Sequence, residues 1–466
     1  MEPKKKNLLV ILCDQLQRHI LGPYGGRVQT PNLDKLAARG AVYDNFYCAT
    51  PLCAPTRPSM MTGRWPHAHG ATSFGKEFEN IHSSERLLID HLMDEGYHVG
   101  YEGIWHINRH EEDLRTDEYA HFQPRGFPYK QHLQMLIEQG GKDGKQRAHV
   151  STPTDYGRMH DWTFSVPVPA RWTDDPEDHP DSEIASNIAG FVKTAPKELP
   201  FAAWCSLGGP HPPIVVPEPY YSMYSSDDVG MPESYGEPSE HLPEPVKESP
   251  GAQSVRGWTR EQWVESRAVY WGFVAFLDSC IGQVLDALEA SGRSEDTVVI
   301  VTSDHGEMMG AHNLYQKGVL YDESIHIPFI LAAGGIEPGH RQQFGSQVDI
   351  PATVLQLLGL PGLPNVQGKS LVPSLNDPEA VGEQTAFVEF NGYIDGGIHT
   401  RGVVCGALKY IYHHGHGDQL FDLKIDPFEL NNLCDNPEYC EALKDLRARL
   451  TNWMASTGDS IVPIWT

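Results

Sequence analysis

The sequence predicts an α/β fold, in which a large and mainly parallel sheet is sandwiched by helices and followed by a smaller C-terminal α+β subdomain. Short apolar runs at 8–12 and 297–301 alternate with segments whose apolar positions recur at helical spacing. The first run is followed closely by Asp14, and the second by Asp304 and His305. Because ligands of such sheets bind beyond the carboxyl ends of the strands, we expect these three residues to meet at one edge.

The elements between and around these two strands follow from residue spacing. Segments 31–40 and 84–95 carry apolar positions at helical spacing and end at or beside a glycine, which predicts two helices. A short strand is expected from residue 98 to 101, and a long amphipathic helix over 264–290. Segment 109–250 is rich in proline, acidic and aromatic residues with weak periodicity, which predicts long insertions that build a pocket wall.

The C-terminal part of the chain has a different pattern. Prolines within 361–364 indicate a boundary, so we expect a large domain over 1–364 and a smaller subdomain over 365–466. The smaller subdomain is predicted to contain an antiparallel sheet, whose strands we place at 385–390, 401–404 and 408–413.

Composition narrows the classes of partner. The chain has 466 residues and a formal net charge of −26, which argues against nucleic acid as a partner. No apolar run approaches the roughly 20 residues that cross a bilayer, so no membrane association is expected. The apolar run at 8–12 is too short for the core of a signal peptide, which predicts a cytoplasmic protein, or a periplasmic or secreted one if a leader was removed. The eight cysteines are scattered and form no CxxC pair.

The most specific segment runs from Cys53 to Arg64 and reads CAPTRPSMMTGR. Its cysteine lies just before Pro55, a favoured first helical residue, and a helix N-terminus attracts anions and lowers a thiol pKa. Arg57 follows one turn later. The pattern predicts an anion site that contains a nucleophile; the alternative is a buried structural cysteine beside an ordinary helix start.

The segment resembles the signature of the type I, formylglycine-dependent sulfatases of the alkaline-phosphatase-like superfamily. That signature is Cys-x-Pro-Ser/Thr-Arg followed by two apolar residues, Thr-Gly and a basic residue. The resemblance implies that a formylglycine-generating enzyme converts Cys53 into formylglycine. It also implies a divalent metal, with calcium favoured and manganese or magnesium as alternatives. The implied metal ligands are Asp14, Gln15, Cys53, Asp304 and His305.

The resemblance also implies roles for the remaining site residues. Asp304 would help to deprotonate the attacking hydroxyl, and Arg57 and Lys317 would stabilise charge at the sulfuryl group. His211 would protonate the departing alcohol, and His106 would take the proton that expels sulfate. Two positions depart from the family pattern, because Ile104 replaces a lysine and Phe74 replaces an asparagine.

The resemblance therefore implies a sulfuric ester hydrolase that acts on a sulfated saccharide or another small sulfate ester. The departures at Ile104 and Phe74, together with Gln15, keep open a phosphodiesterase or phosphonate monoester hydrolase on the same scaffold. A third reading is a non-catalytic binding protein with a decayed site. Expected substrate contacts are Trp105, His399 and Arg401.

Overall fold

The computed structural model describes residues 5–75, 80–109, 118–125, 168–238, 242–378, 382–393 and 397–464. The strands are β1 (Asn7–Asp14), β2 (Ala41–Tyr47), β3 (His98–Ile104), β4 (His121–Arg125), β5 (Ala170–Arg171), β6 (Phe201–Pro210), β7 (Val215–Val216), β8 (Thr297–Ser303), β9 (Phe329–Ala332), β10 (Gly339–Ser346), β11 (Thr385–Phe390), β12 (Thr400–Cys405), β13 (Leu408–His413) and β14 (Gln419–Asp422).

The α-helices are α1 (Pro31–Ala37), α2 (Cys53–Thr62), α3 (Pro66–His69), α4 (Leu88–Asp94), α5 (Pro180–Thr194), α6 (Ser226–Val229), α7 (Glu244–Lys247), α8 (Pro250–Gln253), α9 (Arg260–Ala290), α10 (Asp322–Ile325), α11 (Ile350–Leu358), α12 (Val372–Asn376) and α13 (Cys440–Thr457). Short 3-10 turns occur at Gly22–Tyr24, Pro176–Asp178, Ser294–Asp296, Ala311–Asn313, Gln347–Asp349 and Pro437–Tyr439.

The large sheet has eight described strands in the order β10-β2-β9-β8-β1-β6-β3-β4. All neighbouring pairs are parallel except those of β9, which runs antiparallel to β2 and β8. The central strand β1 is buried along its whole length, because helices cover both faces of the sheet. This arrangement confirms the predicted α/β class, including the sandwich of helices.

Alternate residues of β1 contribute to two separate apolar cores. Leu8 and Val10 pack on one face, in the core that includes residues of α4 and α11. Leu9 and Ile11 pack on the other face, against α5 and α9. The period of two along a strand thus divides one apolar run between two layers.

Helix α9 begins at Arg260, four residues before the predicted start. Thr259 Oγ1 accepts a hydrogen bond from the Gln262 amide at 3.4 Å, and Gln262 Oε1 accepts one from the Thr259 amide at 2.9 Å. This capping box satisfies two amides that a helix start leaves without partners. Contrary to the expectation that no segment is long and apolar enough to cross a bilayer, this helix is, but it lies mostly buried inside the fold.

The interpretation of 109–250 as irregular insertions is wrong for part of its second half. Helix α5 and strand β6 both fall within this range, and β6 pairs with β1 and β3 at the centre of the sheet. The apolar run that starts at Phe201 is a buried strand whose signal was hidden by the prolines around it. Residues 126–167 of the predicted insertion lie outside the described residues.

The C-terminal strands form the predicted antiparallel sheet, in the order β11-β12-β13-β14. Its core includes Leu446 and Trp453 of α13, and also Ala49 and Trp65 from the N-terminal part of the chain. The smaller subdomain therefore packs directly beside the segment that carries Cys53. The boundary after residue 364 stays a prediction.

Candidate active site

Three distant segments bring their polar residues to one edge of the large sheet. Asp14 is the last residue of β1, Asp304 follows β8 directly, and Cys53 is the first residue of α2. One ligand atom from each of these residues and one from His305 all lie within 4.8 Å of one another. Strands β1 and β8 are adjacent and parallel, so their carboxyl ends deliver the two carboxylates side by side.

The guanidinium of Arg57 binds both carboxylates. Its Nη2 lies 2.9 Å from Oδ2 of Asp14 and 2.9 Å from Oδ2 of Asp304, and its Nε lies 3.1 Å from the same Asp304 oxygen. Nη1 donates to Ser206 Oγ at 2.8 Å and to the Ile104 carbonyl. All five N–H donors of the guanidinium are thus used inside the protein. Its direct hydrogen bonds to side chains thus position the carboxylates, and stabilisation of charge at the sulfuryl group by Arg57 stays a prediction.

His305 presents a bare ring nitrogen to the two carboxylates. Burial lowers its pKa to about 4, so the imidazole is neutral. Nδ1 donates to the Gly306 carbonyl at 3.0 Å, which leaves the lone pair on Nε2, 3.8 Å from Oδ1 of Asp14 and 3.8 Å from Oδ1 of Asp304. Among the described residues, neither Nε2 of His305 nor Oδ1 of Asp14 has a hydrogen-bond partner, although both are buried. Two carboxylates and a neutral imidazole with its proton fixed on the outer nitrogen suit a divalent cation.

The two carboxyl groups have opposite pKa shifts. Burial and the neighbouring Asp304 raise the pKa of Asp14 well above its usual range. Burial would also raise the pKa of Asp304, but His305 and Arg57 outweigh it and hold that pKa below the ordinary value. Asp304 also accepts hydrogen bonds from the amides of Gln15 at 3.0 Å and His305 at 2.9 Å. Asp304 is therefore the more readily ionised member of the pair.

The helix start does not activate the Cys53 thiol. Burial, followed by the charge of Asp14, raises the pKa of Cys53, which reverses the lowering expected from a helix N-terminus. Helix α2 begins at Cys53 itself, two residues before the predicted first residue, Pro55. Pro55 is tolerated there because the amides of the first helical turn have no partner inside the helix. The unmodified thiol stays protonated and is a poor nucleophile.

A second group of polar side chains lies beside the carboxylates. Lys317 Nζ donates to Oε1 of Gln15 at 2.6 Å and to Nε2 of His211 at 2.7 Å. His211 Nδ1 donates to the Pro212 carbonyl at 2.6 Å, and burial together with Lys317 lowers its pKa well below the usual value. His211 is therefore neutral, and its Nε2 accepts the hydrogen bond from Lys317.

Most of the chain matches a known protein family. Residues 6–360 match the family model described as Sulfatase. The chain belongs to the sulfatase family. Residues 310–456 of this sulfatase also match the model described as N-sulphoglucosamine sulphohydrolase, C-terminal. The enzyme is a sulfuric ester hydrolase with an alkaline-phosphatase-like fold, and its family implies in general a divalent metal and a formylglycine.

Similar proteins cover nearly the whole sulfatase. An ulvan-active sulfatase of Formosa agariphila is 27% identical over 98% of this chain and 83% of its own length. An arylsulfatase of Clostridium perfringens is 28% identical over 95% of this chain and 93% of its own length. The crystal structure of a phosphonate monoester hydrolase of Agrobacterium radiobacter superposes with a TM-score of 0.81 at 25% identity, covering 97% of this chain and 96% of the other.

His106 packs against the aromatic ring of Phe74. The sulfatase holds His106 with a positive φ of 47°, and its ring packs edge-on against Phe74 at a centroid distance of 6.1 Å. Burial and the charge of Arg57 lower the pKa of His106 to about 3, so this histidine is a proton acceptor at rest. Trp105 is half-buried and packs edge-on against Tyr101 at 4.7 Å.

The position of the missing family lysine is apolar in this sulfatase. The Ile104 side chain is buried, and its carbonyl accepts hydrogen bonds from Arg57 and from Ser206 Oγ. Arg109 does not replace the lost charge, because its Nη1 lies 2.8 Å from Oδ2 of Asp90.

The two predicted substrate contacts in the C-terminal subdomain have different surroundings. Arg401 is 1% exposed, and its guanidinium binds Asp459 through contacts of 2.6 Å and 3.2 Å. The prediction that Arg401 contacts substrate is therefore corrected: its burial makes it a structural residue. His399 is half-buried and donates from Nδ1 to Asn391 Oδ1 at 3.2 Å.

A second acidic cluster contains His67, Glu389 and Asp459, whose ligand atoms also lie within 4.8 Å of one another. His67 forms an ion pair with Glu389, and Arg401 occupies the side of Asp459. An arginine thus compensates this cluster, as Arg57 does for the group around Asp14. The group around Asp14 differs in that two of its buried ligand atoms lack a hydrogen-bond partner among the described residues.

Several residues that support the site residues through hydrogen bonds were not predicted from the sequence. Gln347 Oε1 accepts hydrogen bonds from the Ala49 amide at 2.9 Å and from Thr56 Oγ1, and its Nε2 donates to the Asp304 carbonyl at 2.7 Å. Gln347 thus ties α2 to the end of β8. A lone glutamine carries no sequence signal for such a role. Ser206 and Glu307 were missed as well, although Glu307 lies only two residues after His305.

Proposed function

We propose that this sulfatase cleaves sulfate esters of saccharides or other small alcohols with a formylglycine at position 53 beside a bound Ca²⁺. The observation that carries the proposal is the convergence of Asp14, Cys53, Asp304 and His305 within 4.8 Å, with two buried ligand atoms lacking hydrogen-bond partners in the described structure. A protonated, buried thiol supports an oxidised side chain at position 53, since the thiol itself is a weak nucleophile.

Asp14, Asp304 and His305 would hold the metal. Oxygen-rich ligands favour Ca²⁺, while the imidazole keeps Mn²⁺ as an alternative. When bound, the metal lowers the pKa of a hydroxyl at position 53 and neutralises charge on the sulfate oxygens. Gln15 Oε1 accepts from Lys317 and has a second lone pair, so its role as a metal ligand stays a prediction.

The remaining polar residues supply proton transfer. Asp304, the ionised carboxylate, accepts the proton of the attacking hydroxyl. The Lys317–His211 pair donates a proton to the departing alcohol, and Lys317 also stabilises the charge that develops on the leaving oxygen. His106, which is neutral because of its burial, accepts the proton whose removal releases sulfate.

Substrate selection would depend on the aromatic residues near His106, such as Trp105. Trp105 offers a half-buried ring that suits a sugar or aryl leaving group, and His399 is a further candidate contact. The ulvan-active sulfatase, similar over 98% of this chain, is named for a saccharide, which supports saccharide sulfates among the substrates. The formal charge of −26 disfavours a long polyanion held along the surface.

The test is co-expression with a formylglycine-generating enzyme, followed by intact mass analysis and an activity screen. The expected mass loss is the difference between a CH2SH and a CHO side chain, together with turnover of an aryl sulfate and of defined sulfated saccharides. Cys53→Ala should abolish both signals, whereas the matched variant Cys280→Ala, at a buried thiol of α9, should retain both. An unmodified, inactive chain that binds sulfate esters would instead support the non-catalytic reading.

A second candidate is hydrolysis of phosphodiesters or phosphonate monoesters on the same scaffold. It is favoured by the similarity to the phosphonate monoester hydrolase, with a TM-score of 0.81, and by the apolar side chain of Ile104. Comparing kcat/KM for an aryl sulfate with that for an aryl phosphodiester separates the two. Faster turnover of the diester would make sulfate hydrolysis the secondary activity.

A further inference from the structure

Glu307 is a buried carboxylate at the site to which the proposed chemistry gives no role. Only 1% of the residue is exposed. Its Oε1 accepts hydrogen bonds from the amides of Met309 at 2.8 Å and Gln316 at 2.6 Å, so it closes the loop that leads to Lys317. Its Oε2 accepts a hydrogen bond from Nε2 of Gln15. The carboxylate thus touches both the loop before Lys317 and the side chain beside Asp14.

The contact with Glu307 decides which way the Gln15 amide points. A side-chain amide has a donor end and an acceptor end, and an acceptor-only carboxylate attracts the donor end. With Nε2 turned towards Glu307, Oε1 of Gln15 faces Lys317 and accepts from its ammonium at 2.6 Å. The reverse orientation would place the amide donor against the ammonium and the amide oxygen against the carboxylate. Both reversed contacts are unfavourable.

We propose that Glu307 is a positioning residue that orients the Gln15 amide and, through it, directs the ammonium of Lys317 towards the leaving group. The inference rests on the proposed function, in which the Lys317–His211 pair serves the departing alcohol. Glu307 itself touches neither substrate nor metal in this scheme. Its effect is therefore greatest for substrates whose leaving group needs a proton and least for substrates whose leaving group does not.

A pair of isosteric exchanges separates orientation from simple loss of a carboxylate. In Glu307→Gln, the new amide keeps its oxygen on the two backbone amides and turns its NH2 group towards the NH2 group of Gln15. Gln15 can relieve that clash only by pointing its own donor at Lys317. In Gln15→Glu, two carboxylates face each other. The double variant restores complementary contacts. The amide introduced by Glu307→Gln donates to the carboxylate introduced by Gln15→Glu, and that carboxylate still accepts from Lys317.

The experiment measures kcat/KM of metal-saturated, formylglycine-containing enzyme on an aryl sulfate with a good leaving group and on an alkyl or sugar sulfate. Each single variant is expected to lose roughly 10- to 100-fold on the alkyl substrate and much less on the aryl one, as a lost charged hydrogen bond would cause. The double variant should recover at least about tenfold on the alkyl substrate. Asp278→Asn is the matched control, because Asp278 is a buried carboxylate that accepts two amides of α1, at 3.0 Å and 2.9 Å.

Equal losses on both substrates in Glu307→Gln, or a double variant no better than the worse single variant, would overturn the inference. So would a leaving-group-dependent loss in Asp278→Asn, since Asp278 accepts amides of α1 rather than amides of the loop before Lys317. A wild-type enzyme without activity on any sulfate ester would instead overturn the proposed function. The two failures are thereby distinguishable. If a single variant does not fold, the kcat/KM of the double variant relative to wild type on the alkyl substrate still tests the inference.

Discussion

Replacing Arg57 by methionine tests the central electrostatic arrangement of the site. The substitution removes the cation that binds Oδ2 of both Asp14 and Asp304, while the side chain stays long and apolar. Loss of one partner of a buried ion pair costs about 3–5 kcal/mol, so we expect a loss of that size in the free energy of unfolding when a chelator is present. A divalent ion would then be the main cation facing the carboxylates.

The same substitution should therefore tighten metal binding. Removing a like charge near the metal site is expected to lower the Kd for Ca²⁺ by at least about tenfold, which is about 1.4 kcal/mol. At a Ca²⁺ concentration of about 100 times its Kd, the ion should return about 2.7 kcal/mol of the lost stability. Urea unfolding with chelator and with Ca²⁺, together with calorimetric titration of Ca²⁺, measures both quantities.

Arg341→Met is the matched control for this prediction. Arg341 is equally buried, and its described hydrogen bonds go to backbone carbonyls, such as that of Ser374 at 2.8 Å. The control should lose stability without a change in Ca²⁺ affinity. The reasoning is refuted if Arg57→Met loses less than about 1 kcal/mol in chelator, or if its affinity for Ca²⁺ is unchanged or weaker.

Three further predictions follow from the packing and charge of the described residues. Gly103→Ala should abolish activity and lower the unfolding midpoint, because Gly103 has a φ of 108° and a Cβ there would lie 1.8 Å from the Ser206 carbonyl oxygen; a soluble, active variant would contradict this. Lys409→Met should cost about 3–5 kcal/mol in denaturant unfolding, since Lys409 is buried between Asp322 and Glu429. Glu389→Gln should flatten the dependence of stability on pH. His67 lowers the pKa of Glu389, so the stability that Glu389 contributes is lost as pH falls through its folded pKa. Glu389 raises the pKa of His67, so the stability that His67 contributes is lost as pH rises through its folded pKa. An unchanged pH–stability curve would contradict this.

The sequence was most informative where local pattern and chemistry coincide. The run at 8–12 is continuously apolar because β1 is buried on both faces, so its position was recognisable to within two residues. The strand at Phe201 was missed because the prolines and acidic residues around it resemble a loop, although β6 lies beside β1. Its assignment depends on pairing with strands far away in the chain, which no local window contains.

The same distinction applies to the site. Asp14 and His305 could be selected from the sequence, because each is a possible metal ligand that closely follows a predicted strand. Residues that act by holding others carry no such mark, as Gln347 shows. Arg401 was placed wrongly for a related reason, since an arginine in sequence looks the same whether it faces a pocket or a buried Asp459.

The amino-acid sequence by itself determined the α/β class, the cysteine motif and the acids that follow the strands, because each depends on a local period or on a short run of residue types. Only the tertiary structure decided that all donors of Arg57 are used inside the protein, that the Cys53 thiol stays protonated and that Glu307 orients Gln15. Those outcomes depend on burial and on distances between segments up to about 300 residues apart, and neither quantity exists before the chain is folded.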